Sequence, residues 1–202
     1  MALYGRSSSH FTRVTRIFAA ELGLAYEFRI VPDLMVSTPA AYGGNPALRL
    51  PTLATPEGHW FGALNICREL WRRSSSKPEV EWPEHLTLAV SANAQELVTQ
   101  AMSTEVALIM AKLSGVDPTN RHYEKNQQSL LNMLAWLEDN APEIVGAPLE
   151  KLRFLEVTLF CLVDHLSFRD VVPIGPYSRL NEFCQRFAKR ASAQATPYRF
   201  DP

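Results

Sequence analysis

Apolar positions in the first 73 residues change period several times. Ala2-Leu3-Tyr4 is a short apolar run that stops at Gly5. After the polar stretch Arg6 to His10, the residues Phe11, Val14, Ile17, Phe18 and Leu22 recur at helical intervals as far as Gly23. Tyr26 to Val31 then alternates as a strand does, with Tyr26, Phe28 and Ile30 on one face and Glu27, Arg29 and Val31 on the other. Strand, helix and strand predict a βαβ unit. Pro32 to Gly44 contains two prolines and two glycines with little periodicity, and reads as a loop with at most a short helix. Pro51 precedes the run Thr52-Leu53-Ala54, Thr55-Pro56-Glu57-Gly58 reads as a tight turn, and His59-Trp60-Phe61 completes a hairpin of two short strands. Leu64, Cys67, Leu70 and Trp71 continue it as a helix with one apolar face.

From Ser74 to Pro83 the apolar period is lost, and the stretch reads as a linker. Beyond Glu84 only helical patterns follow, and no strand is expected. Leu97, Ala101 and Leu108 mark a first long helix ending at Ser114-Gly115. Asp117-Pro118 predicts a cap and first helical position for a second, carrying Leu130, Met133, Leu134 and Leu137. Leu149 to Phe168 is apolar nearly all round, the mark of a central helix, and Leu180, Phe183, Cys184, Phe187 and Ala188 form the stripe of a fourth. The fold class is therefore α/β + all-α, with domains at 1–76 and 84–202.

The chain of 202 residues carries 20 Lys and Arg against 21 Asp and Glu, a net charge of -1, so it has no electrostatic footprint for nucleic acid or an anionic membrane. Cys67, Cys161 and Cys184 are odd in number and form no C-x-x-C, which argues against a disulfide framework, a zinc site or a dithiol centre and points to a reducing, cytoplasmic setting. The start MALYGRSSSH has no apolar core behind a basic segment, and the apolar run Phe154 to Val163 is broken by Glu156, so neither secretion nor membrane spanning is expected. No metal site is indicated. Asp164 and His165 read as a satisfied polar pair in the central helix.

Two places carry candidate chemistry. Ser7-Ser8-Ser9 stands where a helix N-cap belongs, and the helix start after Gly62 lies beside an edge strand, where an anion can be held. Met102, Ser103 and Val106 lie along the first long helix; a helical Met is ordinarily core.

Leu3-Tyr4-Gly5, Asn45-Pro46, Arg49-Leu50-Pro51 and the hairpin leading into a helix resemble the N-terminal, thioredoxin-like domain of the glutathione transferase family. An α/β half followed by an all-α half extends that resemblance over nearly the whole chain. It implies a βαβ-ββα domain and a cis Pro51, with Leu50 offering its backbone to the cysteinyl part of glutathione and Arg49 replacing the usual Lys. It also implies that Ser9, with Ser8 as the fallback, stabilises the glutathione thiolate. A free thiol titrates near ~8.5, and both a hydroxyl donor and a positive helix end favour its thiolate. Gly62-Ala63 stands where the family has Glu-Ser, the pair that holds the γ-glutamyl end, so glutathione as co-substrate is expected to bind weakly. His10, Met102 and Val106 are the substrate-facing candidates. Arg153 and Glu156 replace a family capping box, with Glu156 left to reach back to the helix start. The resemblance further implies a homodimer, with Trp60 and Tyr42 as interface candidates. Two functions compete: conjugation of the thiolate to an electrophilic small molecule, and a non-catalytic ligand-binding or interaction module that keeps the cleft.

Overall fold

The computed structural model describes residues 1–145 and 151–202. Its contacts group the chain into two units, Met1–Glu79 together with Lys189–Pro202, and Val80–Ala188.

In the first unit, β1 (Ala2–Gly5) leads into α1 (His10–Glu21) and back to β2 (Glu27–Ile30), followed by β3 (Thr52–Thr55), β4 (Gly58–Phe61) and α2 (Ala63–Arg73). The sheet order is β2-β1-β3-β4, with β1 parallel to β2 and antiparallel to β3. The parallel pair needs a crossover, and α1 supplies it; the antiparallel pair β3-β4 needs only the Thr55–Gly58 turn. α1 buries Val14, Ile17, Phe18 and Ala19, and it packs with α2, which buries Ile66, Cys67 and Leu70. Gly5 leaves room at the end of β1, where a Cβ would collide with the Thr12 side chain on α1. After β2 the burial is uneven: Val31 is in the core while Ile30 is 39% exposed. The loop that follows holds one 3-10 turn, Pro39–Tyr42.

Tyr42 does not fit its expected place on an interface. It is 2% exposed, and its hydroxyl donates to the Leu34 carbonyl at 2.6 Å. Trp60 is half-buried, with the Arg72 guanidinium 4.9 Å above its ring.

In the second unit come β5 (Val80–Glu81), α3 (Ala89–Leu113), α4 (Arg121–Asp139), α5 (Ala141–Ile144), β6 (Leu152–Arg153), α6 (Phe154–Arg169) and α7 (Ser178–Phe187). Three expectations are corrected here. A strand does occur after Glu84: Val80 and Glu81 pair in parallel with Leu152 and Arg153. Arg153 anchors this join, its Nε donating to Glu81 at 2.7 Å and its Nη1 to Glu156 at 3.2 Å, so Glu156 reaches the Arg153 side chain where a backbone cap was expected. The central helix accordingly begins at Phe154; the expected start at Leu149 lies outside the described residues. The cap of α4 is Asn120, whose Oδ1 accepts from the His122 and Tyr123 amides at 2.9 and 3.4 Å. Asp117 instead closes a turn on the Thr119 amide at 2.8 Å.

α6 is buried from Phe154 through Val163, as its all-round apolarity predicts. Phe160 stacks on Phe187 of α7 with ring centroids 4.5 Å apart. His165 meets Glu105 of α3, Nδ1 to Oε1 at 2.7 Å, and both side chains are nearly sealed from solvent. Burial pushes the Glu105 carboxyl above its ordinary range, and His165 opposes that shift. No described helix is long and apolar enough to cross a membrane.

The segment from Lys189 returns to the first unit, where α8 (Ala191–Gln194) packs with α1. Glu21 accepts from Arg190 Nε at 2.8 Å and from Ser192 Oγ at 2.5 Å, and the Arg13 guanidinium lies 4.2 Å from the centre of the Tyr198 ring.

Candidate functional site

Strand register alone gathers the candidate residues. Tyr4 is opposite Thr52, and Thr52 is opposite Phe61. The loop leaving β1, the residues entering β3 and the residues leaving β4 therefore meet at one end of the sheet. That end holds Ser9, then Arg49, Leu50 and Pro51, then Gly62 and Ala63. It also receives the N-termini of two helices, since α1 follows β1 and α2 follows β4 without intervening structure. Each such terminus presents amides lacking intrahelical acceptors and about half a positive charge.

Ser9 is the N-cap of α1, in extended backbone conformation, and its Oγ accepts from the Thr12 amide at 3.2 Å. The capping and thiolate readings are compatible, because a hydroxyl that accepts one hydrogen bond still has its own proton to donate. His10 is 1% exposed, so it is not a surface residue.

The Leu50–Pro51 peptide is cis, as the resemblance implied. The loop before it is stapled by Asn45, which is 3% exposed. Its Oδ1 accepts from the Ala47 amide at 3.0 Å and its Nδ2 donates to the Arg49 carbonyl at 2.8 Å. The sequence signal was available as an Asn-Pro turn, since Asn side chains bond the backbone two residues on, but its reach to Arg49 was not. Arg49 itself is exposed.

Gly62 is the N-cap of α2, with φ 81 and ψ 139, and no side chain caps this helix. The first helical bond runs from the Ile66 amide to the Gly62 carbonyl at 3.0 Å, which leaves the earlier amides, Ala63 first, directed out of the helix end. Met102 and Val106 lie on α3 in the second unit; Met102 is 1% exposed, and Val106 is half-buried.

These features define an α/β unit of thioredoxin-like type, with two helix N-termini at one end of its sheet, followed by a helical unit. Residues 8–73 match the family model described as glutathione S-transferase, N-terminal domain. Solved structures share the fold over nearly the whole chain. A glutathione S-transferase from Methylobacterium radiotolerans, in complex with glutathione sulfonate, aligns with a TM-score of 0.79 at 18% identity, covering 100% of this chain and 96% of that one. One from Methylobacillus flagellatus with glutathione bound aligns at 0.81 and 19% identity, covering 97% and 98%. A glutathione transferase family member from Pseudomonas fluorescens, with bound S-(propanoic acid)-glutathione, aligns at 0.74 and 17%, covering 97% and 98%. No curated protein sequence matches the chain. Residues 8–73 thus carry the family's N-terminal domain, and the chain as a whole shares the fold of these glutathione S-transferases.

Proposed function

We propose that the protein binds glutathione at this end of the sheet and transfers its thiolate to an electrophilic small molecule. The observation that carries the reading is the convergence of Ser9, the cis Leu50–Pro51 peptide and the Gly62–Ala63 helix start through strand register. The glutathione species bound to the solved relatives supports the ligand class.

In this reading Ser9, held by the Thr12 amide, donates a hydrogen bond from its hydroxyl to the sulfur, and the positive end of α1 lowers the energy of the thiolate further. The thiol proton passes to solvent. The sulfur lone pair then forms a bond to the electrophilic carbon, and the leaving group departs with the electron pair of the bond that breaks. The Leu50 backbone pairs with the cysteinyl segment, the Ala63 amide receives the γ-glutamyl carboxylate, and Arg49 adds positive charge at the rim. The protein works as a cytoplasmic homodimer, and light scattering at micromolar concentration tests the assembly, a monomer being the refuting result.

One observation favours a second reading, a non-catalytic ligand-binding module on the same fold: Gly62 and Ala63 supply neither a carboxylate nor a hydroxyl. Each lost hydrogen bond to a charged group is worth roughly 1.5–3 kcal/mol. Purified protein on a glutathione column, with turnover measured against a general aryl electrophile, separates the two. Weak retention with turnover supports the transferase; retention without turnover supports the binding module.

A further inference from the structure

The Arg6–Ser9 loop is tied at its middle by a residue nearly two hundred positions away. The Ser9 amide donates to the Arg6 carbonyl at 3.1 Å, closing a turn, and the Ser7 amide donates to Asp201 Oδ2 at 2.7 Å. Both ends of that second bond are enclosed, for Ser7 is 1% exposed and so is the Asp201 side chain. The Ser7 hydroxyl finds no hydrogen-bond partner among the described residues, so the polar tie of this turn residue is its amide. Arg199 Nε lies 3.8 Å from the other carboxylate oxygen, Oδ1. A carboxylate accepting from an amide makes a charge-assisted bond, stronger and more directional than a neutral one.

The carboxylate is delivered by a segment that is itself anchored to α1. Besides the Glu21 contacts of Arg190 and Ser192, Arg13 Nη2 donates to the Ala193 carbonyl at 3.4 Å, and Thr196 is buried with its hydroxyl on the Ser192 carbonyl at 2.8 Å. Asp201 therefore arrives at the loop from a seated stretch of chain.

We propose that Asp201 is a positioning residue: its carboxylate fixes the turn that presents the Ser9 hydroxyl. Ser9 Oγ is aimed from one side by its bond to the Thr12 amide, and the turn preceding it is aimed from the other by Asp201. A misplaced hydroxyl forfeits the hydrogen bond to a sulfur anion, because such bonds weaken steeply with angle and distance. The catalytic part of this inference rests on the glutathione reading above; the loop part does not.

The test uses the full chain with Asp201→Ala and Asp201→Asn. Asparagine keeps a carbonyl acceptor of the same length without the charge. Exchange of the Ser7 amide with solvent, followed by NMR without glutathione, is expected to be faster in Asp201→Ala by roughly tenfold or more, the equivalent of losing a bond to a charged acceptor. Asp201→Asn is expected to restore most of that protection. With glutathione and an aryl electrophile, Asp201→Ala should lower kcat several-fold, leave KM for glutathione nearly unchanged and move the pH of half-maximal rate toward that of a free thiol, while Asp201→Asn recovers most of kcat. Unchanged Ser7 exchange in Asp201→Ala overturns the proposal. So does Asp201→Asn behaving like Asp201→Ala, since that outcome assigns the effect to charge and not to position. If Ser7 exchange follows the expected pattern but even the wild type shows no turnover, the assignment of the loop stands and the transferase reading falls.

Discussion

Restoring Glu and Ser at positions 62 and 63 separates affinity from stability. Gly62 has φ 81 and ψ 139, backbone that side-chain-bearing residues rarely adopt. A Cβ built there meets no atom within 4 Å, so Gly62→Glu is opposed by the backbone alone. Holding a non-glycine residue in such a conformation costs of order 1–3 kcal/mol. For a chain of this size each kcal/mol moves the melting temperature by about 2–4 °C, so the double variant should melt about 2–12 °C lower. That strain is present whether or not glutathione is bound, so it does not enter the dissociation constant. The new carboxylate and hydroxyl would add two contacts to the charged γ-glutamyl end, together worth roughly 2–4 kcal/mol, or about one and a half to three orders of magnitude in affinity. Calorimetry with glutathione and thermal melts of the wild type, both single variants and the double variant decide it. Ala63→Ser alone should gain affinity with little change in melting, and Gly62→Glu alone should carry the loss of stability. Tight binding by the wild type would refute the premise that the missing pair weakens the site. A double variant that binds no better than the wild type would mean that this end of the sheet serves another ligand, which favours the non-catalytic reading.

Ser9→Ala should lower turnover roughly tenfold or more by removing a donor to charged sulfur. It should also lose about 0.5–2 kcal/mol of stability, because Ser9 caps α1; Ser9→Asp keeps the cap acceptor but should stay inactive, and turnover equal to wild type in either variant ends the role assigned to Ser9. Glu105→Ala removes the 2.7 Å partner of buried His165 and should destabilise by about 3–5 kcal/mol in urea melts, whereas Glu105→Leu with His165→Phe should recover most of that. For Glu21, burial alone raises the carboxyl pKa, but the bonds from Arg190 and Ser192 outweigh it, and the folded value lies below the ordinary 4.5. A depressed carboxyl stabilises the fold above its unfolded pKa, and that contribution fades as pH falls below 4.5 through the folded value. Arg190→Ala should flatten this acid limb in denaturant melts at stepped pH; an unchanged limb would exclude the pair as its source.

Local periodicity and the resemblance reached different parts of this molecule. The hairpin, α1, α2 and the long helices were legible because each repeats its apolar residues at short sequence intervals. β6 was not, since two residues carry no alternation, and neither was the cap of α4, where Asp117 and Asn120 are equally good capping types and only the path of the turn selects between them. Contacts across long separations were invisible for a related reason: Glu105 with His165 and Ser7 with Asp201 leave no mark at spacings of two, three or four. The candidate site behaves differently because it is assembled from the ends of elements. Once β3 is paired antiparallel with β1 on one side and, through the hairpin, with β4 on the other, the residues following Tyr4, preceding Thr52 and following Phe61 must share one end of the sheet. What they present there is largely backbone: the amides of two helix starts and the strand entry at Leu50. Backbone amides at a helix start do not depend on the side chains there, so on the glutathione reading proposed above Gly62 and Ala63 would remove contacts to the γ-glutamyl end without removing the amides that could receive its carboxylate.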